Sequence, residues 1–270
     1  MDSIAQSTVS LNTISYTSEA RKARTKIIEI IGPPGIGKTT VYNALCKSWH
    51  PSNKWIFQEA LLEAKPKKFE IKEWLAFLVR KFILLKRNKS VPVQYGIRFV
   101  DDHQNLAQFC WKYLSNPNTY PGGDISKQFR SSYFLFTDFC RYQAIIEKKT
   151  DKPCLISEGL LQKSFFINED INYAVEGLKE YMQLIPLPHA VIYINTPDSN
   201  LIIQRLKNRK KIITSHVGKD DKALLEDVEN WKFIFDIVAD RLKRMNVPVY
   251  YLDGLKTVKD NVRAIKNLLN

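Results

Sequence analysis

Residues 26–40 read KIIEIIGPPGIGKTT, and this stretch decides the fold of the chain. Its first part, residues 26–31, is nearly continuous in β-branched residues, which is typical of a strand buried on both faces of a parallel sheet. Residues 32–39 match the pattern GxxxxGK(S/T) without a mismatch, and residues 39–48 predict a helix. A strand, a glycine-rich turn and a helix in this order predict a phosphate-binding loop.

The residue types of this loop suit a nucleotide. Glycines let backbone N–H groups turn inward around a phosphate, and the following helix directs its positive end at the same anion. We expect Lys38 to reach the β- and γ-phosphates of ATP and the Thr39 hydroxyl to bind Mg²⁺. The loop residues expected to bind the nucleotide are Gly32, Pro33, Pro34, Gly35, Ile36, Gly37, Lys38, Thr39 and Thr40.

Net charge and cysteine content limit the class of protein. Lys and Arg total 41 against 28 Asp and Glu, and the net charge of +13 implies attraction to phosphorylated molecules, nucleic acid or acidic lipid. The four cysteines stand singly, which favours reduced thiols in a cytoplasmic protein. No apolar run reaches the roughly 20 residues of a transmembrane helix, and the N-terminus shows no secretory signal.

Strand and helix candidates alternate along the rest of the chain. The further strand candidates are residues 54–58, 153–157, 190–195 and 247–252, with helices predicted at 172–184 and 199–207. This alternation predicts an α/β fold of three layers with a parallel sheet of about five strands. Residues 65–149 predict a helical insertion. Residues 1–24, rich in Ser and Thr, predict a flexible leader before a domain that spans residues 25–270.

A single acid, Glu158, ends the third strand candidate. It lies at the carboxyl edge of the predicted sheet, where ligands bind in open α/β folds. We expect Glu158 to support Mg²⁺ or to orient a substrate, with a solvated turn residue as the alternative. The sequence lacks both the NKxD segment of a GTPase and the adjacent Asp-Glu that would end a buried strand of a motor ATPase.

A cluster of cations follows the fourth strand candidate. Residues 201–211 predict a helix on which Arg205 and Arg209 lie four apart, and hence on one face. Such arginines suit a lid that closes over a triphosphate and neutralises charge on the transferring phosphoryl group. The alternative is a solvated basic helix end, which the helix dipole favours.

The order of these segments resembles P-loop kinases of the nucleoside and nucleotide monophosphate kinase group. The resemblance is carried by GPPGIGKTT, by the strand that ends in Ser-Glu-Gly, by VIYINTPDSNLIIQRLKNR and by the closing VYYLDG. It implies a three-layer P-loop NTPase fold in which Lys38 and Thr39 bind phosphate and Mg²⁺. Arg205 and Arg209 resemble the lid arginines of the group. The resemblance also implies that the adenine-side loop comprises Asp253, Gly254 and Leu255.

The residue after Glu158 differs from the pattern of that group, and Glu59 has two possible roles. The group commonly has an acid followed by arginine after its third strand, whereas this chain has Glu158 followed by glycine. Arg130 and Arg141 are therefore candidates for the arginine function. Glu59, at the end of the second strand candidate, lies where many nucleoside kinases place the general base, and a helix N-terminal acid is the alternative.

The sequence as a whole predicts an ATP- and Mg²⁺-dependent kinase. It would transfer the γ-phosphoryl group to a small acceptor: a nucleoside, a nucleotide or a similar metabolite. The basic segment at residues 65–89 and the net charge leave two alternatives open. One is a nucleic-acid-binding ATPase, and the other is a regulatory ATPase at a membrane surface.

Overall fold

The computed structural model describes residues 24–62, 91–116, 125–167, 171–209 and 218–269, together with Leu75 and Leu78. The predicted leader lies outside these ranges apart from Arg24, and most of the basic segment at residues 65–89 also lies outside them. In the described ranges, no helix is both long enough and apolar enough to cross a bilayer.

A parallel sheet of five strands forms the centre of the fold. Its strands are β1 (Ile27–Ile31), β2 (Ile56–Phe57), β3 (Cys154–Ile156), β4 (Ala190–Asn195) and β5 (Val249–Asp253), in the spatial order β2-β3-β1-β4-β5. Ile28 of β1 lies opposite Leu155 of β3 and Ala190 of β4. The fold class expected from the sequence is therefore confirmed. The second strand is shorter than predicted, because a helix begins at Gln58 directly after it.

The described helices include those that the sequence predicts near residues 39–48, 172–184 and 199–207, and two that it does not predict, Gln58–Leu62 and Asp221–Arg244. In chain order the described helices are α1 (Lys38–Lys47), α2 (Gln58–Leu62), α3 (Val93–Asp102), α4 (Gln104–Ser115), α5 (Ile125–Glu147), α6 (Ile171–Leu184), α7 (Ser199–Lys207), α8 (Asp221–Arg244) and α9 (Val258–Leu269). A 3-10 helix (Leu161–Phe166) follows β3. Helices α3, α4 and α5 lie between β2 and β3, within the region where the sequence predicts a helical insertion.

The sheet separates two hydrophobic cores. Ile28 and Ile30 of β1 lie in one core with apolar residues of α1, α7 and α9. Ile27 and Ile31 lie in the other core with residues of α3 to α6 and α8. Because successive side chains of a strand point to opposite faces, this partition gives three layers: helices, sheet and helices. All the turns that follow a strand lie at one edge, the carboxyl edge of the sheet.

Candidate active site

The phosphate loop joins β1 to α1 and has the backbone conformation of a tight phosphate-binding turn. Gly32 and Gly37 have φ angles of +145° and +103°, a range that favours glycine. A Cβ at Gly32 would lie 2.2 Å from the carbonyl oxygen of Ile194, so β4 approaches too closely for any side chain there. A Cβ at Gly37 would meet no described atom within 4 Å. The loop is thus closed against β4 and open at Gly37.

The N-terminus of α1 begins at this open position. Within the described chain no side chain caps this helix, and its first turn contains no acidic residue. The first N–H groups of a helix have no partner inside it, and the helix dipole favours an anion beside them. The uncapped helix and the open side of Gly37 therefore fit a phosphate group.

Lys38 is buried at the base of this loop. Its Nζ donates hydrogen bonds to the carbonyl oxygens of Gly32, at 2.6 Å, and Pro33, at 3.0 Å. Burial lowers the pKa of Lys38 to about 7; the charge of Glu158 raises it, and Arg209 and Lys163 lower it. These three charged groups therefore act on one ammonium. An anion in the loop would favour the protonated form of Lys38.

Glu158 follows β3 and faces a second lysine. Its Oε2 lies 4.0 Å from Nζ of Lys163, and its side chain is 56% exposed. Lys163 also forms an ion pair with buried Asp138, whose Oδ2 lies 3.1 Å from the same Nζ. Burial raises the pKa of Asp138, and Lys163 lowers it. The structure thus places an acid and a cation together at the carboxyl end of β3.

Of the two arginines proposed for the missing acid-arginine pair, Arg141 shares the Asp138 carboxylate with Lys163, whereas Arg130 contacts an aromatic ring. Nη1 of Arg141 lies 3.1 Å from Oδ1 of Asp138, and the guanidinium of Arg130 lies over the Phe134 ring at 5.6 Å. The lysine that faces Glu158 is Lys163, which the sequence analysis did not identify. A lysine five residues after an acid does not by itself predict this pairing, because only the 3-10 helix brings Lys163 back toward Glu158.

Oxygen donors at this edge fit Mg²⁺. The ion prefers oxygen ligands in octahedral geometry and usually keeps several waters. Thr39 supplies a hydroxyl at the exposed start of α1, and Glu158 supplies a carboxylate. In the part of the chain that the structure describes, no group of three His, Cys, Asp or Glu side chains could hold a metal ion. A magnesium ion here would rely on phosphate oxygens and water beside Thr39 and Glu158.

Glu59 lies at the start of α2, directly after β2. Its Oε2 accepts a hydrogen bond of 2.6 Å from the hydroxyl of Tyr42 on α1. Burial raises the pKa of Tyr42, and the charge of Glu59 raises it further, so the hydroxyl stays protonated and donates. The hydrogen bond orients a carboxylate at the carboxyl edge of the sheet. The general-base role of Glu59 stays a prediction.

The two arginines of the predicted lid occupy different positions. Helix α7 ends at Lys207, and the Arg209 N–H donates to the carbonyl of Leu206 at 3.3 Å. The expectation that both arginines share one helical face is wrong, because the chain leaves the α-helix at Asn208 and tightens into a turn. Nη1 of Arg205 donates to the carbonyl oxygens of Ile36, at 3.0 Å, and Gly254, at 3.1 Å.

The loop after β5 packs on the phosphate loop. The Gly254 N–H donates to the Asn195 carbonyl at 2.8 Å, and a Cβ at Gly254 would lie 2.4 Å from Cδ1 of Ile36. Oδ1 of Asp253 accepts from the N–H of Leu255 at 2.8 Å and so fixes this turn. The structure therefore brings the predicted adenine-side residues against the phosphate loop, and Arg205 joins the two segments.

These positions separate the expected effects of the two arginines. A lid role for Arg209 predicts that Arg209→Ala lowers kcat more than it raises KM for ATP, because a contact to the transferring group would strengthen in the transition state. Arg205→Ala should lower Tm and raise KM about tenfold, since two loop carbonyls lose their donor. ADP release and thermal melts measure both. Arg263→Ala, on the exposed side of α9, is the control. Wild-type kinetics in both variants would refute a role for this cationic segment.

Glu29 is a buried acid that the sequence analysis did not single out. It lies on β1, is 1% exposed and accepts hydrogen bonds from the N–H groups of Gly159, Leu161 and Gln162. Burial raises its pKa to about 7 in spite of these donors and of Lys163. The sequence does contain a signal for this role, because Glu29 is the one acid within an apolar strand. A buried carboxylate is costly without hydrogen bonds, so donors to it could have been expected.

The raised pKa of Glu29 predicts how stability depends on pH. Between pH 4.5 and about 7 the folded chain keeps a proton on Glu29 that the unfolded chain has released. The free energy of unfolding should therefore fall as pH rises through this window, by about 2 to 3 kcal/mol from this group. Denaturant unfolding of the wild type and Glu29→Gln at pH 5 and pH 8 measures this contribution of Glu29 to the free energy of unfolding. An equal pH dependence in both proteins would contradict it.

Comparisons with known proteins find similarity to solved structures of kinases at low sequence identity. No protein-family model and no curated protein matches it. The structure of a deoxyadenosine kinase from M. mycoides with bound dATP matches over 91% of this chain and 99% of that chain, with 15% identity and a TM-score of 0.46. A shikimate kinase from Bacteroides thetaiotaomicron matches over 92% and 99%, with 12% identity and a TM-score of 0.37. Both are kinases.

Proposed function

We propose that the chain is a kinase that transfers the γ-phosphoryl group of ATP to a small-molecule acceptor. The observation that supports this most strongly is the set of charges around Lys38. The charges of Glu158, Lys163 and Arg209 all act on its ammonium, which lies at the base of the phosphate loop. Phosphoryl transfer requires cations positioned around the transferring group and an acid that supports the metal ion.

The proposed division of roles follows the positions of the side chains. Lys38 holds the β- and γ-phosphates, and Arg209 neutralises charge on the transferring group. Thr39 and Glu158 hold Mg²⁺, which would neutralise phosphate charge when bound. Glu59 accepts the proton of an acceptor hydroxyl. Arg205 keeps the phosphate loop and the loop after β5 in contact.

A small acceptor is favoured over a nucleic acid by the balance of charge at the site. Two acids, Glu59 and Glu158, lie at the ends of neighbouring strands β2 and β3. A groove for a nucleic-acid backbone needs a continuous row of cations. Two cations on the side of β3, Lys163 and Arg141, are both paired with Asp138. A nucleic-acid-binding ATPase therefore remains the second candidate, supported by the net charge of +13.

Release of ADP in the presence of different acceptor classes tests the proposal. The full chain is incubated with ATP and Mg²⁺ and with nucleosides, nucleoside monophosphates, hydroxylated metabolites, oligonucleotides or anionic vesicles. We expect one class of small molecules to raise the rate at least tenfold above ATP alone. Stimulation by oligonucleotides alone would favour the second candidate, and stimulation by vesicles alone would favour a membrane-surface ATPase.

A further inference from the structure

Gln162 holds the first residue of the phosphate loop from two sides. Its Oε1 accepts a hydrogen bond of 3.2 Å from the N–H of Gly32, and its Nε2 donates one of 3.1 Å to the carbonyl of Gly32. Gln162 is the second residue of the 3-10 helix and is buried, with 5% of its surface exposed. The same Gly32 carbonyl accepts from Nζ of Lys38. The acceptor that holds the catalytic lysine is therefore itself held by Gln162.

Glu29 fixes the start of the same 3-10 helix and the residues just before it. Its Oε1 accepts from the N–H groups of Gly159, at 2.9 Å, and Gln162, at 2.8 Å, and its Oε2 accepts from that of Leu161 at 3.2 Å. A Cβ at Gly159 would lie 2.6 Å from Cδ of Glu29, so only glycine permits this approach. Gly159 is the residue directly after Glu158. Glu29 thereby determines where the backbone of the Glu158 turn lies.

The hydrogen bonds of Glu29 and Gln162 connect the phosphate loop and the Glu158 turn at two places. Glu29 and Gly32 belong to one continuous segment, β1 and the start of the loop, and they are three residues apart. Glu29 holds the turn that carries Glu158, and Gln162 returns from that turn to Gly32. A hydrophobic side chain at position 29 would suit the surrounding core better than a carboxylate, since a buried acid costs stability. The carboxyl group supplies what an apolar residue lacks: two oxygens that accept three hydrogen bonds from the turn.

We propose that Glu29 and Gln162 are positioning residues that hold the phosphate loop and the Glu158 turn at one fixed spacing. Lys38 and Glu158 then act on the same phosphate group without rearrangement. This inference rests on the proposed function for its catalytic consequence, but its structural content concerns the unliganded chain. The catalytic contacts themselves belong to Lys38 and Glu158; Glu29 and Gln162 act through them.

Gln162→Met and Ser164→Ala form a matched pair for the test. Methionine keeps the length of Gln162 and removes both hydrogen bonds to Gly32. Ser164 lies in the same 3-10 helix, is fully buried and donates only to the Leu161 carbonyl at 2.7 Å. Both changes remove buried hydrogen bonds, and only Gln162→Met releases the loop. Amide hydrogen exchange of the full chain without nucleotide and the Kd for ATP by calorimetry are measured for each.

We expect Gln162→Met to increase exchange at Gly32 at least tenfold and to weaken ATP binding about tenfold, with both values in Ser164→Ala within twofold of wild type. Equal behaviour of the two variants would overturn the proposal, as would faster exchange with unchanged ATP affinity. Failure of the proposed function gives a different result. ATP would then bind without transfer of its phosphoryl group to a small acceptor, or would not bind at all, and neither result changes the exchange expected at Gly32. Unchanged exchange at Gly32 in Gln162→Met would overturn the positioning role in either case.

Discussion

Replacement of Lys38 by methionine is expected to lower ADP release from ATP by about 10³-fold or more. The ammonium is the cation that the loop places at the phosphates, and loss of such a group typically costs two to three orders of magnitude or more. The chain should still fold with a small change in Tm, because the carbonyls of Gly32 and Pro33 lose a donor while the cost of burying the ammonium is removed. Initial rates and thermal melts measure both quantities.

Lys152→Met is the control for this change. Lys152 also donates from Nζ to a main-chain carbonyl, that of Pro51, but it precedes β3 at the opposite edge of the sheet. Its replacement should leave the rate of ADP release within twofold of wild type. Near-normal turnover by Lys38→Met, or an equal loss in both variants, would remove the basis for a nucleotide site in this loop.

Glu158→Gln is expected to lower kcat by about 10²-fold and to raise the Mg²⁺ concentration needed for half-maximal rate. The amide keeps the size of the side chain and removes the negative charge that would hold a divalent cation and that raises the pKa of Lys38. Thermal stability should change little, because the side chain is 56% exposed and its pair with Lys163 is long, at 4.0 Å. Rates over a Mg²⁺ titration measure the effect.

Glu176→Gln is the matched control for Glu158. Glu176 is an exposed acid on α6 that also pairs with a lysine, Lys179. It should show wild-type rates and wild-type Mg²⁺ dependence. If Glu158→Gln matched this control, Glu158 would be a solvated turn residue, which is the alternative reading of its sequence.

The local parts of this fold could be predicted from the sequence. The β1 strand, the phosphate loop and α1 follow from residues 26–48 alone, because strand, turn and helix signals lie in sequence order. The bounds of β4 agree with the prediction, since a continuous apolar run ends at a polar turn. The helical face assigned to Arg209 was wrong because periodicity does not reveal where a basic helix end stops.

The contacts between distant segments could not be predicted. Gln162 meets Gly32 across 130 residues, and Arg205 meets Ile36 across 169. Neither residue type indicates its partner, because an amide or a guanidinium binds any backbone carbonyl. Lys163 likewise becomes the cation beside Glu158 only through the turn of the 3-10 helix. These contacts depend on the topology of the sheet, which places the ends of β1, β3 and β4 side by side.

Transfer of label from γ-³²P-ATP tests the central claim most directly. The full chain is incubated with labelled ATP, Mg²⁺ and a fractionated pool of small metabolites, and the products are separated by charge and mass. A kinase moves the label to an organic acceptor in one fraction, and Lys38→Met forms none of that product. Label found solely as inorganic phosphate in every fraction, at a rate that small molecules do not change, would contradict the account.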